Sequence, residues 1–274
     1  MNKYMNNKKD LYNELKTNAT QYEYLHHFTQ IENFQKIIEQ QCLLLNRIDR
    51  VTDKNENIML PNLWKKKVFI GCFTHSNKGK KEFWEVYAKN NGVRISFPNH
   101  LLNKNNFTII SENNYQFKKR SKSNWSHIDY EQDDKNWGYF DILKNDIFYN
   151  NVHNWHNYEN CGNALVKNYT FNDHYDWEEE TRLRIALAPL GLENQLNEET
   201  NKLNVTLPDF NKIYLKLNKK ILENIFISVP ANANEQFIIK VARILSSTKN
   251  TKNCRIFKLY ENGDLVEWNN TAYI

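Results

Sequence analysis

Apolar positions along this chain recur in two rhythms, every second residue and every third or fourth, and the changes of rhythm mark its elements. Tyr22 to Phe28 is aromatic and apolar enough for a strand and ends at Thr29. Thr29 and Glu32 make a T-x-x-E capping box, and Ile31, Phe34, Ile37 and Ile38 follow at helical spacing. After Leu43 to Asn46 comes a polar loop, Arg47 to Asn57, that carries Asp53 and Glu56, and Val68 to Thr74 reads as a strand. Within Lys81 to Asn90, Phe83, Trp84, Tyr87 and Ala88 fall on one helical face. Asn91-Gly92 stops that helix before a strand at Val93 to Phe97.

From Trp177, Leu183, Ile185 and Leu187 alternate with Arg182, Arg184 and Ala186, as in a half-buried strand. Period two then places Glu178, Glu180, Arg182 and Arg184 on one face. The C-terminal part predicts strands at Ile213 to Leu217, Ile225 to Val229 and Arg255 to Tyr260, with a helix through Glu235 to Leu245. Residues 1–20 read as a polar helical arm. Residues 104–167 read as an insertion or lid, with a short strand near Tyr130 and a helix around Tyr139 to Tyr149. No repeat and no Pro/Gly/Ser linker divides the chain, so the expectation is one α+β domain over residues 1–274.

Composition narrows the class. Of 274 residues, 40% are hydrophobic and 14% aromatic, too much bulky apolar material for a disordered chain. The opening residues lack an apolar export core and no stretch reaches the ~20 apolar residues of a membrane span, so no membrane role is expected. Cys42, Cys72, Cys161 and Cys254 lie far apart without a CxxC pair, the usage of a reduced, cytoplasmic protein. The net charge of +5 gathers at Lys65 to Lys67, Lys78 to Lys81 and Lys118 to Lys122. These clusters read as a solvated Lys-rich surface, with attraction of an anionic ligand as the alternative. His153, His156 and Cys161 lack a fourth neighbouring ligand, and no metal is expected. There is no P-loop, G-x-G-x-x-G or G-x-S-x-G.

Four motifs in order resemble the DUF2971 family: His27-Phe28-Thr29 before an apolar helix, the loop with Asp53 and Glu56, Phe83-Trp84-x-x-Tyr87-Ala88 leading to Gly92-Val93, and Glu178-x-Glu180-x-Arg182. Thr52-Asp53 stands where that family usually has Asn-Asp, Phe83 where it has Met, and Lys167 lies farther than usual from the glutamates. The family in turn resembles the ADP-ribosyltransferase superfamily. That resemblance implies a single domain with a mixed, largely antiparallel split sheet flanked by helices, and NAD as substrate. It also implies a macromolecular acceptor, protein or nucleic acid, and a role as a toxin or antiviral effector.

Carried over by residue, Glu180, Glu178 and Tyr87 become the catalytic candidates, and His27, Thr29, Trp84 and Arg182 the NAD-binding ones. Breaking the nicotinamide bond leaves a ribose-centred cation, which a fixed carboxylate such as Glu180 stabilises. Tyr87 or Trp84 could stack on nicotinamide, and Arg182 or Arg184 could pair with phosphate. Each feature also has a plain structural reading: an ion-pair ladder for Glu178, Glu180 and Arg182, a satisfied strand-end histidine for His27, and core aromatics for Trp84 and Tyr87. NAD glycohydrolysis and a non-catalytic nucleotide- or nucleic-acid-binding module stand as the rival functions.

Overall fold

The structure, a computed structural model, describes residues 21–50, 66, 68–103, 105–119, 136–146, 148–149, 169–170, 179–189, 196–197, 202–203 and 210–269. The polar arm at 1–20, the loop with Asp53 and Glu56, Tyr130, the His153/His156/Cys161 group, Lys167 and Glu178 lie outside those residues.

The first strands are β1 (Tyr24–Gln30), β2 (Cys42–Arg47), β3 (Val68–Thr74), β4 (Gly92–Pro98), β5 (Phe107–Ser111), β6 (Gln116–Lys119) and β7 (Asn136–Asp146). There follow β8 (Phe148–Tyr149), β9 (Tyr169–Thr170), β10 (Glu180–Pro189), β11 (Leu196–Asn197) and β12 (Lys202–Leu203). The last are β13 (Lys212–Leu217), β14 (Phe226–Pro230), β15 (Ile256–Leu259) and β16 (Leu265–Glu267). The helices are α1 (Ile31–Gln40), α2 (Lys81–Val86), α3 (Lys219–Leu222) and α4 (Glu235–Ser246). Twelve strands form one mixed sheet in the order β10-β7-β6-β5-β13-β2-β3-β1-β4-β14-β15-β16, parallel only at β6–β7 and β14–β15. The short pairs β8–β9 and β11–β12 stand apart from it.

A further pairing of β10 with β3 closes the run from β10 round to β3 into a ring of seven strands, and β1, β4, β14, β15 and β16 form an open wing beyond β3. The ring's alternating apolar residues, among them Leu45, Phe69, Ile109, Leu183, Ile185 and Leu215, belong to the main core. α1 buries Ile31, Phe34, Ile37 and Ile38 and packs on α4, β1, β2 and β4. This is the helical face read from the sequence.

Two expectations are corrected. The capping box does not form, because β1 runs on to Gln30 and Thr29 is a buried strand residue opposite Val93; the cap of α1 is Gln30, whose side chain makes no capping bond. Within 104–167 the described residues form β5, β6 and β7, three members of the ring, and β8. Tyr139 to Asp146 is strand, not helix: β7 pairs with β10 from Asp146 back to Gly138, and such a ladder overrides a local helical spacing. Inside this region Lys144 Nζ donates to Asn99 O at 2.7 Å and to Asn99 Oδ1 at 2.5 Å, tying β7 to the turn after β4. Burial lowers that ammonium to about 8.

On the opposite face of the wing, Phe28, Phe83, Trp84, Ala88 and Leu259 make a second apolar cluster under α2. Phe28 stacks on Phe83 at 4.8 Å and meets Trp84 edge-on at 4.9 Å. Gly92 lets this layer close, since a Cβ there would collide with the Thr29 carbonyl and with Ala88 in the turn after α2. Trp84→Ala is expected to cost about 3 kcal/mol of stability, read as a fall in thermal midpoint, because the cluster is small and cannot refill an indole-sized void.

Candidate functional site

β3 is the pivot of the sheet. One edge pairs with β10 along its length, from Glu180 opposite Thr74 to Ala186 opposite Val68. The other edge is shared: β2 takes Phe69 and Ile70, and β1 takes only Thr74, through His26. Between these two ladders lie Gly71, Cys72 and Phe73. His27 fills the fork, its Nδ1–H donating to the Cys72 carbonyl at 3.0 Å.

Register decides which side chains meet. Directly opposed residues on neighbouring strands point to the same face, so His26, Thr74 and Glu180 form one row and Ser96 continues it. His27 belongs to the other face, with Phe73, whose ring centroid lies 5.7 Å away. The strand expected to carry the histidine and the strand expected to carry the glutamate therefore flank one strand, and the histidine in row with Glu180 is His26. Alternation along β1 separates His26 from His27, but only the register with β3 shows which of them shares the face of Glu180.

His26 is 1% exposed, with Nδ1 2.8 Å from Ser96 Oγ and Nε2 3.0 Å from Asn77 Oδ1. The amide oxygen can only accept, so Nε2 carries the proton and Nδ1 takes the serine hydroxyl. Burial, followed by the charge of Arg94, holds this imidazole well below its usual range, and burial also lowers His27 against the pull of the Cys72 bond. Both histidines are thus neutral in the folded chain, while the unfolded chain protonates near pH 6.5. Stability from this source is complete above about 6.5 and is lost as the pH falls from there through the folded values. A thermal midpoint that drops between pH 7 and pH 5, and drops less in His26→Asn, is the expected result.

Glu180 ends in a clamp. Arg182 Nε lies 2.6 Å from Oε1 and Nη2 2.9 Å from Oε2, with the glutamate 3% and the arginine 6% exposed. Arg184 is also buried, lowered to about 10 by burial against the opposing pull of Glu180 and Cys72. The face read as half-buried is therefore buried on both sides of β10.

The neighbouring Glu179 has a different situation. Its φ of 45° lies in the left-handed region, disfavoured for a residue with a side chain, and two bonds hold it there: Thr74 Oγ1 and His75 N both donate to its carbonyl at 3.1 Å. Its carboxylate, 40% exposed, lies 3.2 Å from Lys80 Nζ. Burial alone would raise this carboxyl, but Ser76 and Lys80 outweigh it and the net shift is downward. The 75–80 loop that supplies Lys80 is pinned from below by Arg94 Nη1, which donates to Asn77 O at 3.1 Å. Tyr22 stacks on His75 at 4.1 Å, and His75 Nδ1 lies 3.1 Å from Thr181 Oγ1.

Of the other candidates, Trp84 is packed in the α2 cluster, and Tyr87 caps α2 at 39% exposure with its ring 6.5 Å from Phe83. Thr29 is buried in β1 on the face of His27. Among the described residues no group of three or more His, Cys, Asp or Glu side chains could hold a metal ion, and no helix is long and apolar enough to cross a membrane. A scan of family models and searches of curated proteins and solved structures returned no match to the chain.

Proposed function

We propose that the protein is an NAD-consuming enzyme of the ADP-ribosyltransferase kind, with its reaction centre at the fork beside Thr74 and a macromolecular acceptor. The observation that supports this reading best is the row His26–Thr74–Glu180, which sets an imidazole strand and a carboxylate strand on the two edges of β3. In the reaction the bond between the nicotinamide ring nitrogen and ribose C1′ breaks, its electron pair leaves with nicotinamide, and the ribose carries the positive charge. A carboxylate already fixed beside that charge lowers the barrier. Glu179 is the carboxylate offered, half-exposed and held by Lys80, while Glu180 is a positioning residue whose pair with Arg182 anchors the start of β10. The acceptor nucleophile then bonds to C1′ and releases its proton. A toxin or antiviral role rests on the family resemblance alone.

The test incubates the protein with NAD labelled in its adenylate, with cell extract as acceptor, and follows nicotinamide and transferred label. Label on protein or nucleic acid supports the transferase, and free ADP-ribose alone makes the enzyme a glycohydrolase. The second reading is a non-catalytic nucleotide-binding module, in which Glu179 with Lys80 and Glu180 with Arg182 serve the fold alone. Saturable NAD binding without nicotinamide release would establish it.

A further inference from the structure

β14, α4 and β15 form a strand–helix–strand unit with the strands parallel, from Ile227 opposite Ile256 to Pro230 opposite Leu259. In such units ligands gather at the carboxyl ends of the strands, where the chain turns away and leaves a crevice. Here a cleft of about 420 Å³ opens at those ends, walled on its far side by α2 and the turn after it. The volume is that of a small-molecule site.

We infer that this cleft binds a nucleotide. Pro230, with the small part of Trp84 left uncovered by its packing, offers apolar surface against which a flat base can lie, and Asn90 and Asn232 bring to the lining amides of the donor-and-acceptor kind that a base edge requires. Glu261 at the rim can accept from ribose hydroxyls, and Lys81, exposed and paired with Glu85 at 3.1 Å, can exchange that solvent-screened partner for a phosphate. A second observation favours an anion. Arg94 is 1% exposed and has no acidic partner among the described residues; it donates to the carbonyl of Asn77, two residues before Gly79 of the cleft lining. A buried guanidinium without a counter-charge leaves a positive field around it, which attracts anions and repels cations. The inference is independent of the reaction proposed at β3 and stands whether or not NAD is turned over.

Isothermal titration of the full chain with AMP, adenosine and inorganic phosphate tests it. AMP is expected to bind with a dissociation constant below about 1 mM. Ala231→Trp fills the cleft from a partly exposed turn and Asn232→Ala removes one exposed amide; each is expected to weaken AMP by about tenfold or more while melting like the parent chain. No saturable AMP binding, AMP affinity unchanged by Ala231→Trp, or phosphate binding as tightly as AMP would each overturn the inference.

Discussion

Glu180→Gln is expected to lower the free energy of unfolding by about 3–5 kcal/mol, measured by urea denaturation at neutral pH, because it takes the negative charge out of a buried, bidentate ion pair. Arg182 is 6% exposed and its clamp on Glu180 is bidentate, so the amide leaves a full guanidinium charge without its carboxylate in a site that already holds the buried Arg184. Arg182→Met should cost about as much for the converse reason, except that the stranded carboxyl can protonate. The double variant Glu180→Gln/Arg182→Met should recover most of the loss, since a buried pair replaced as a unit leaves no unbalanced charge and two charges no longer need desolvating. A single-variant cost below about 1 kcal/mol would instead mark the pair as solvent-screened and leave Glu180 available for chemistry.

The local elements were legible because their signals are local. Val68 to Thr74 alternates too little to be anything but a buried strand, and α1 carries its apolar residues at strict helical spacing; both lie where they were read. The ring was not legible, because it depends on which strands pair, and the pairing of β6 with β7 or of β10 with β3 joins residues far apart in sequence. The same limit governed the site. The histidine strand and the glutamate strand flank β3, but which histidine faces which glutamate is a matter of register, and a shift of one residue exchanges the two faces of a strand. Glu179 was passed over for a related reason. Alternation assigns it to the face opposite Glu180, whereas its left-handed backbone, held by Thr74 and His75, takes it out of the ladder before β10 begins. No single-sequence pattern records a backbone turn imposed by partners a hundred residues away.

Glu179→Gln is expected to reduce nicotinamide release by about 100-fold or more while leaving the fold nearly as stable as before. The amide keeps the size of the side chain and its reach to Lys80 but removes the charge that the proposed reaction sets against the ribosyl cation, the kind of loss that costs a preorganised site two or more orders of magnitude. Stability should change little, because the Lys80 pair is 24% and 40% exposed and screened by solvent. Glu180→Gln has the opposite signature, a large loss of stability and a loss of turnover that tracks the folded fraction, so the two glutamates separate on two axes. The pH profile supplies a third. Lys80 and Ser76 hold the Glu179 carboxyl below its usual 4.5, so it is ionised throughout the neutral range and turnover should lose this group only on acidification past that value. Lys80→Met removes part of that hold and should move the acid limb of turnover to higher pH without changing the histidine-dependent fall in melting temperature. Full turnover in Glu179→Gln, or an acid limb indifferent to Lys80, would remove Glu179 from the chemistry and leave the fork beside Thr74 a binding site.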